Sequence, residues 1–250
     1  MELKGSAAIV TGGTGGLGRR ICLALAKAGA NVSLVYLKSQ EAAESYAAEL
    51  SQEFGVKAVA VQADVTTQEG IDKMIAETLG AFGRIDSVVL DAAFNKWIPF
   101  AELDKLDVET WNYIMNYNLT APFLAMRTVG PIMKKQGQGR IVNITSVAGY
   151  NPTGSSIAYA VSKCALNHLT KCMAVALAPE VIVNAVAPGL MEGTRMTANL
   201  APEYVAVSRT STALMRAADK DDVADAVLTF LRTDSITGQT LVVDAGKVYH

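Results

Sequence analysis

The chain has 250 residues, half of them apolar and 18% charged, with a formal net charge of −2. That length suits one domain able to bury about 70–75% of its unfolded surface, so disorder is excluded and no metal or disulfide staple is required. The near-neutral balance excludes a nucleic-acid partner and an anionic membrane surface. No apolar run reaches eighteen residues, and Met1-Glu2-Leu3-Lys4-Gly5 leads directly into a strand instead of a signal peptide, so a cytoplasmic protein is expected. The three cysteines, Cys22, Cys164 and Cys172, are odd in number and lack a pairing pattern, and read as buried free thiols in a reducing compartment.

Ala7-Ala8-Ile9-Val10 is a short apolar run of the kind that forms a buried parallel strand. It runs into Thr11-Gly12-Gly13-Thr14-Gly15-Gly16-Leu17-Gly18, after which Ile21, Leu25 and Ala28 recur at helical spacing. Strand, glycine-rich turn and helix together predict a dinucleotide site. Glycines let the backbone turn tightly against a pyrophosphate, and the helix N-terminus offers unpaired N–H groups. Val32–Tyr36 is the second strand, 40–54 a helix, Val56–Val61 a third strand ending at Asp64-Val65, and 67–82 a helix with Ile71, Met74, Ile75 and Leu79 on one face. Ile85–Leu90 is a fourth strand. A loop follows with Asp91, Phe94, Trp97, Pro99 and Phe100, then a long helix over 107–135 that carries Asn118 and is expected to break near Gly130-Pro131. Arg140–Ser146 is a fifth strand, 156–178 a helix, and Val181–Val186 a sixth strand stopped by Pro188-Gly189. A mixed stretch to about Ala217 precedes a helix starting at Lys220 and a last strand at Gly238–Val243. This β-α rhythm predicts a single doubly wound α/β domain of Rossmann type, with a parallel sheet covered on both faces and the ligand beyond the carboxyl ends of the strands.

Tyr159 and Lys163 are four residues apart, which on a helix puts both on one face. An ammonium beside a phenol favours the phenolate, so Lys163 is expected to lower the Tyr159 pKa and fit it for acid–base work on a substrate hydroxyl or carbonyl. Ser146, ending the fifth strand, would hold and polarise the same substrate oxygen. His168 has no metal-ligand partner at a recognised spacing and reads as structural, and no metal is expected.

The order of these motifs resembles the short-chain dehydrogenase/reductase family over nearly the whole chain. Thr11, Gly12, Gly16 and Gly18 fit its Thr-Gly-x-x-x-Gly-x-Gly loop, Asn118 its crossover-helix asparagine, Ser146 with Tyr159 and Lys163 its catalytic set, and Pro188-Gly189 the motif that closes the nicotinamide side. The resemblance implies hydride transfer to or from a carbonyl carbon with a nicotinamide cofactor. Gly12, Thr14, Gly15, Gly16, Leu17 and Gly18 would line its pyrophosphate, Asp64 and Val65 its adenine, and Ala92, Pro188, Gly189 and Thr194 its nicotinamide half. It further implies that Lys163 binds the nicotinamide ribose and that Asn118 holds a water linking Lys163 to solvent. Three positions depart from the pattern. Leu90-Asp91-Ala92-Ala93 replaces Asn-Asn-Ala-Gly, the threonine after Pro188-Gly189 falls one residue late at Thr194, and Ala245 stands where a glycine is common.

The second strand ends Tyr36-Leu37-Lys38-Ser39 with no carboxylate until Glu41, and Tyr36 stands where NAD-selective relatives place Asp. Lys38 and Ser39 could serve a 2′-phosphate, whereas Gly15 stands where NADP-selective relatives often carry a cation. On balance NADP(H) is expected, with NAD(H) as the alternative. A ketone/secondary-alcohol oxidoreductase is the expected activity. A 3-oxoacyl-thioester reductase or a non-catalytic cofactor-binding sensor are the competing readings. Phe94, Trp97, Tyr150, Met191 and Met196 would form an apolar wall, with a substrate-loop region at about 189–217 and no basic cluster for a carrier phosphate. Leu124, Leu166 and Leu169, placed on the outward faces of the two long helices, and the family's habit of pairing those helices, predict a homotetramer.

Overall fold

A computed structural model describes residues 1–198 and 200–249. Seven parallel strands form one sheet: β1 (Ala7–Thr11), β2 (Asn31–Tyr36), β3 (Ala58–Gln62), β4 (Ser87–Leu90), β5 (Gly139–Ile144), β6 (Val181–Pro188) and β7 (Thr240–Val243). Their order is β3-β2-β1-β4-β5-β6-β7, so the winding direction reverses between β1 and β4. A crevice opens at such a reversal beyond the carboxyl ends of the strands, because the two flanking crossovers leave in opposite directions. The register sets Thr11 beside Leu90, which brings the loops after β1 and β4 together at that crevice.

Both faces are covered, and the strands sort their side chains by alternation. Ala8 and Val10 of β1 face one core with Val32, Leu34 and Tyr36 of β2, while Ile9 and Val35 face the other. The first core is completed by α1 (Gly16–Lys27), α2 (Gln40–Phe54) and α8 (Lys220–Arg232), through Ile21, Leu25, Tyr46, Leu50, Val223 and Leu231. The second is completed by α3 (Gln68–Phe82), α5 (Ala121–Gln136) and α6 (Ile157–Leu177), through Ile71, Met74, Met126, Val129 and Leu177. Each fully buried aliphatic side chain contributes about 1.5–3 kcal/mol relative to exposure, which is what holds α1 rigidly behind the glycine turn. Arg20 pairs with Asp221, tying α1 to the start of α8.

The crossover from β4 to β5 differs from the sequence expectation. Its helix does not break at Gly130-Pro131. Pro131 lies inside α5, and Gly130 is there because Leu177 packs on it: a Cβ would sit 2.6 Å from Leu177 Cδ2. The irregularity falls instead at Asn116–Thr120, a π-helical turn between α4 (Val108–Met115) and α5. A π turn inserts one extra residue and re-aims the side chains it carries, here Asn118. β3 begins two residues later than expected, at Ala58. The mixed stretch before α8 contains α7 (Pro202–Thr210).

Two other expectations are corrected. Only Cys22 is buried, whereas Cys164 and Cys172 are exposed on the solvent side of α6. Leu166 is 1% exposed and belongs to the interior, and Leu124 and Leu169 pack partly against the second core. The outward faces of α5 and α6 present Phe123, Val161 and Val175 instead. Ala245 does occupy a glycine-like conformation, at φ +58°, where it accepts the Leu214 N–H and turns the chain beyond β7. No described helix is long and apolar enough to cross a membrane.

Candidate active site

β1 ends at Thr11, and Gly12 turns the chain at φ +69°. Gly15 N–H donates to the Gly12 carbonyl at 2.8 Å, closing the turn from which α1 starts. Gly18 lies so close beneath it that a Cβ would stand 2.2 Å from the Gly12 carbonyl oxygen. The N-cap residue is Gly15, which has no side chain to offer, and no acidic residue sits in the first turn of α1. N–H groups behind a glycine turn fit a pyrophosphate, since the backbone can be approached closely and the helix end favours an anion. Thr14 is half-buried at the turn, and the Leu17 side chain points into the core, so its contribution to the cradle is backbone.

The remaining strand ends converge on this cradle. Beyond β2, Tyr36 is only 5% exposed, while Lys38 and Ser39 are exposed, with Ser39 at φ +69° opening α2. Beyond β3, Asp64 Oδ1 accepts the Thr66 N–H at 3.0 Å and the Thr66 hydroxyl at 2.6 Å, and Val65 is packed in the second core. Beyond β4, the Thr11 hydroxyl oxygen accepts the N–H groups of both Asp91 (3.0 Å) and Ala92 (3.1 Å). The departing Leu90-Asp91-Ala92-Ala93 loop is thus held against the glycine turn, with Ala92 backbone 3.2 Å from where a Gly12 Cβ would be. Beyond β6, Gly189 donates to the Val243 carbonyl at 2.9 Å, and its missing Cβ makes room for Asp244. Thr194 is buried and its hydroxyl lies 3.0 Å from that of Thr197, whose own hydroxyl donates to the Met191 carbonyl at 2.9 Å. The longer loop therefore folds the Thr194 hydroxyl onto its own backbone. It also rests on the glycine turn, Gly193 carbonyl lying 3.0 Å from a Gly16 Cβ position.

Ser146, Tyr159 and Lys163 come together at the end of β5. Ser146 follows the strand and accepts the Ala148 N–H at 3.2 Å, which fixes its rotamer. Ser156 caps α6 by accepting the Tyr159 N–H at 3.1 Å, so the cap sets the position of the phenol directly. The Ser146 hydroxyl faces the Tyr159 phenol and favours its ionised form. Lys163 is 3% exposed, and its Nζ donates to the Ile144 carbonyl at 2.9 Å and lies 5.8 Å from the Tyr159 ring centre. The expected lowering of the Tyr159 pKa by Lys163 is not what this geometry produces. Burial raises it, the Ser146 hydroxyl offsets part of the rise, and the Asp91 carboxylate adds to it. A phenol that holds its proton is suited to act as the acid towards a carbonyl oxygen.

Asn118 is 0% exposed. Its Oδ1 accepts the Phe94 N–H at 2.9 Å, and its Nδ2 donates to the Phe94 carbonyl at 2.9 Å and to Ser162 Oγ at 3.0 Å. Ser162 in turn donates to the Tyr159 carbonyl at 2.7 Å. In this fold the Asn118 side chain pins the β4 loop to the helix of Tyr159. Ser156 and Ser162 were not singled out from the sequence, although Ser156 stands three residues before Tyr159 at an N-cap spacing that was readable there. The apolar wall assembles in part. Asn95 donates to the Met196 carbonyl at 3.3 Å, and Trp97 meets Tyr204 of α7 edge-on at 5.2 Å between ring centres, so the β4 loop and the segment after β6 meet across the cleft. Phe94 instead stacks edge-on against Tyr113 of α4, and Met191 packs against the first core.

A glycine turn at the reversal of a parallel sheet, with a serine, tyrosine and lysine gathered beside it, defines a dinucleotide-binding oxidoreductase of α/β class. The sequence profile of the short chain dehydrogenases matches residues 6–205. The chain belongs to the short-chain dehydrogenase/reductase family, whose members use nicotinamide cofactors. It is 38% identical to a 3-oxoacyl-[acyl-carrier-protein] reductase of Synechocystis sp. over 251 aligned residues, covering 98% of both chains. It is 36% identical to the enzyme of that name from Aquifex aeolicus over 250 residues, again covering 98% of both. Among solved structures, the NADPH-dependent 3-quinuclidinone reductase of Rhodotorula rubra superposes with a TM-score of 0.91 at 30% identity, covering 98% of this chain and 92% of that one.

Proposed function

We propose that the protein reduces a ketone to a secondary alcohol with NADPH, and the reverse, with Tyr159 as the proton donor and acceptor. The observation that carries this is the gathering of Ser146, Tyr159 and a buried Lys163 at the end of β5, with the glycine turn and the start of α1 across the crevice. A nicotinamide cofactor held in this crevice would supply the hydride-transfer chemistry. Ser146 holds the carbonyl oxygen, and Tyr159 delivers its hydroxyl proton to that oxygen as the C–O double bond becomes single. Lys163, buried beside Tyr159, would hold the ribose hydroxyls of the cofactor. Asn118 keeps the β4 loop and α6 in register. A sensor without catalysis would have no use for all of Ser146, Tyr159 and Lys163.

The absence of a carboxylate at the end of β2, where Tyr36 is buried and Lys38 and Ser39 are exposed, favours NADP(H) over NAD(H). A carboxylate there would accept from a 2′-hydroxyl and repel a 2′-phosphate, whereas Lys38 offers a cation and Ser39 a hydroxyl donor. The expected result is a higher kcat/KM with NADPH than with NADH at equal concentration, reduced in Lys38→Ala. A wild-type preference for NADH reverses the assignment. An unchanged preference in Lys38→Ala removes Lys38 as its source.

A 3-oxoacyl thioester is the second substrate reading, favoured by the names of the relatives at 38% and 36% identity. The same ketone chemistry serves both. Turnover of a 3-oxoacyl thioester against a panel of cyclic and small ketones separates them. The segment 189–217, part of which meets the β4 loop at Trp97 and Tyr204, is the region that would choose between them.

Phe123, Val161 and Val175 on the outward faces of α5 and α6 are the apolar surface available for assembly. A homotetramer with closed two-fold symmetries would cover them. Light scattering at micromolar concentration should give four times the 26.4 kDa chain mass, and a monomeric mass refutes this.

A further inference from the structure

Trp97 and Tyr204 meet edge-on with their ring centres 5.2 Å apart, yet they are 51% and 40% exposed. They come from opposite walls of the crevice. Trp97 lies on the loop after β4, and the next residue, Ile98, donates its N–H to the Ser155 carbonyl at 2.7 Å. Ser155 adjoins Ser156, the cap that receives the Tyr159 N–H at 3.1 Å, so Trp97 is tied to the end of α6 that carries the proposed proton donor. Tyr204 lies on α7, none of whose residues is buried. The chain before α7 crosses the crevice. On the side of the glycine turn, the Gly193 carbonyl oxygen and Thr194 Cα lie 3.0 and 3.1 Å from a Gly16 Cβ position. On the other side, the Met196 carbonyl accepts from Asn95 at 3.3 Å and Tyr204 reaches Trp97. Arg209 in the last turn of α7 pairs with Glu192, which ties the far end of the helix back to where the crossing starts. A surface helix with no buried residue depends on such contacts for its place, and opens at low cost when one is lost.

We infer that Trp97 and Tyr204 are a specificity-determining pair, a two-ring roof that favours a compact ketone over a thioester drawn out by a long thiol arm. This deepens the proposed ketone reduction and rests on it. With the rings in contact, the crevice is bridged from the start of α6 to α7. A compact ring ketone is received beneath the bridge and gains apolar surface from it. A substrate that extends out of the crevice between the loop after β4 and α7 has to part the rings. It forfeits a contact worth roughly a three- to tenfold factor, whichever ring is displaced. Truncating either ring removes the same contact, so the two substitutions are not independent.

The probes are cyclohexanone and acetoacetyl-coenzyme A, each with NADPH in excess. Wild type should show the higher kcat/KM with cyclohexanone. In Trp97→Ala and in Tyr204→Ala, the ratio of kcat/KM for acetoacetyl-coenzyme A to that for cyclohexanone should rise by about threefold or more, and the double variant should match the larger single effect. Trp97→Phe keeps a ring and should stay within about twofold of wild type. Equal unfolding temperatures confirm that the variants are folded. A wild-type preference for the thioester, an unmoved ratio in either alanine variant, or a double variant equal to the product of the two single effects overturns the inference. The ring contact is read without turnover. Trp97 and Trp111 are the two tryptophans of the chain, so Trp111→Phe isolates the Trp97 emission. Adding Tyr204→Ala to it should raise acrylamide quenching of Trp97 in the cofactor-free protein, and unchanged quenching overturns the roof. If wild type reduces neither probe, the proposed function fails and the specificity role falls with it, while the quenching still decides whether the rings meet in solution.

Discussion

Tyr159→Phe should lower kcat by roughly 10²–10⁴-fold while leaving the cofactor dissociation constant within about twofold of wild type, the range for removing one positioned acid–base group. The substitution deletes a single oxygen. The ring remains under Gly154, whose own Cβ position is 3.2 Å from Tyr159 Cδ1, and the Ser156 cap acts on the Tyr159 backbone, not its hydroxyl. Nothing that places α6 is therefore disturbed. What is lost is the proposed proton donor, so the fall should be in kcat, with KM for the ketone little changed. Single-turnover rates under saturating NADPH give the clean comparison. Near-normal turnover would show that another group moves the proton and would remove Tyr159 from the mechanism.

Gly18→Ala should weaken cofactor binding by roughly ten- to a hundredfold and lower the unfolding temperature, since forcing a methyl into packed structure costs about 1–3 kcal/mol. The added carbon would lie 2.2 Å from the Gly12 carbonyl oxygen and 2.8 Å from its carbon. Both are backbone atoms, so no side-chain rotation relieves the contact. Either α1 retreats or the turn opens, and each moves the N–H groups at the start of α1 from the positions an anion needs. Gly15→Ala is the comparison. It sits at φ −72°, open to any residue, with its Cβ position 3.1 Å from the same oxygen, and should cost much less. NADPH titration by calorimetry measures both. Wild-type affinity in Gly18→Ala would mean that the turn does not grip the cofactor.

The succession of strands and helices was readable along the chain because a parallel sheet covered on both faces needs short apolar runs, and the covering helices need an apolar stripe. The Ser146, Tyr159 and Lys163 spacing was readable because one strand end and one helix face suffice to state it. Element edges were less so. β6 runs on to Pro188 because β7, from a distant part of the chain, pairs with it there. The break in the crossover helix was placed at Gly130-Pro131 on local propensity. Packing of Leu177 onto Gly130 overrides that propensity, and the turn falls at Asn118, where side-chain bonds to Phe94 and Ser162 repay the irregular backbone.

The sequence by itself determined that the glycine turn and Ser146, Tyr159 and Lys163 fall at the carboxyl end of the sheet, because motif order and the β-α rhythm deliver them to the same ends of their strands. The charge state of those residues was decided only in three dimensions. Proximity along the helix predicted that Lys163 would lower the Tyr159 pKa. In the fold, burial governs both groups, Lys163 turns to the Ile144 carbonyl, and the carboxylate that raises both comes from the loop after β4, 68 positions before Tyr159 in the sequence. Desolvation and through-space charge depend on what surrounds a side chain, and no spacing along one segment contains that information.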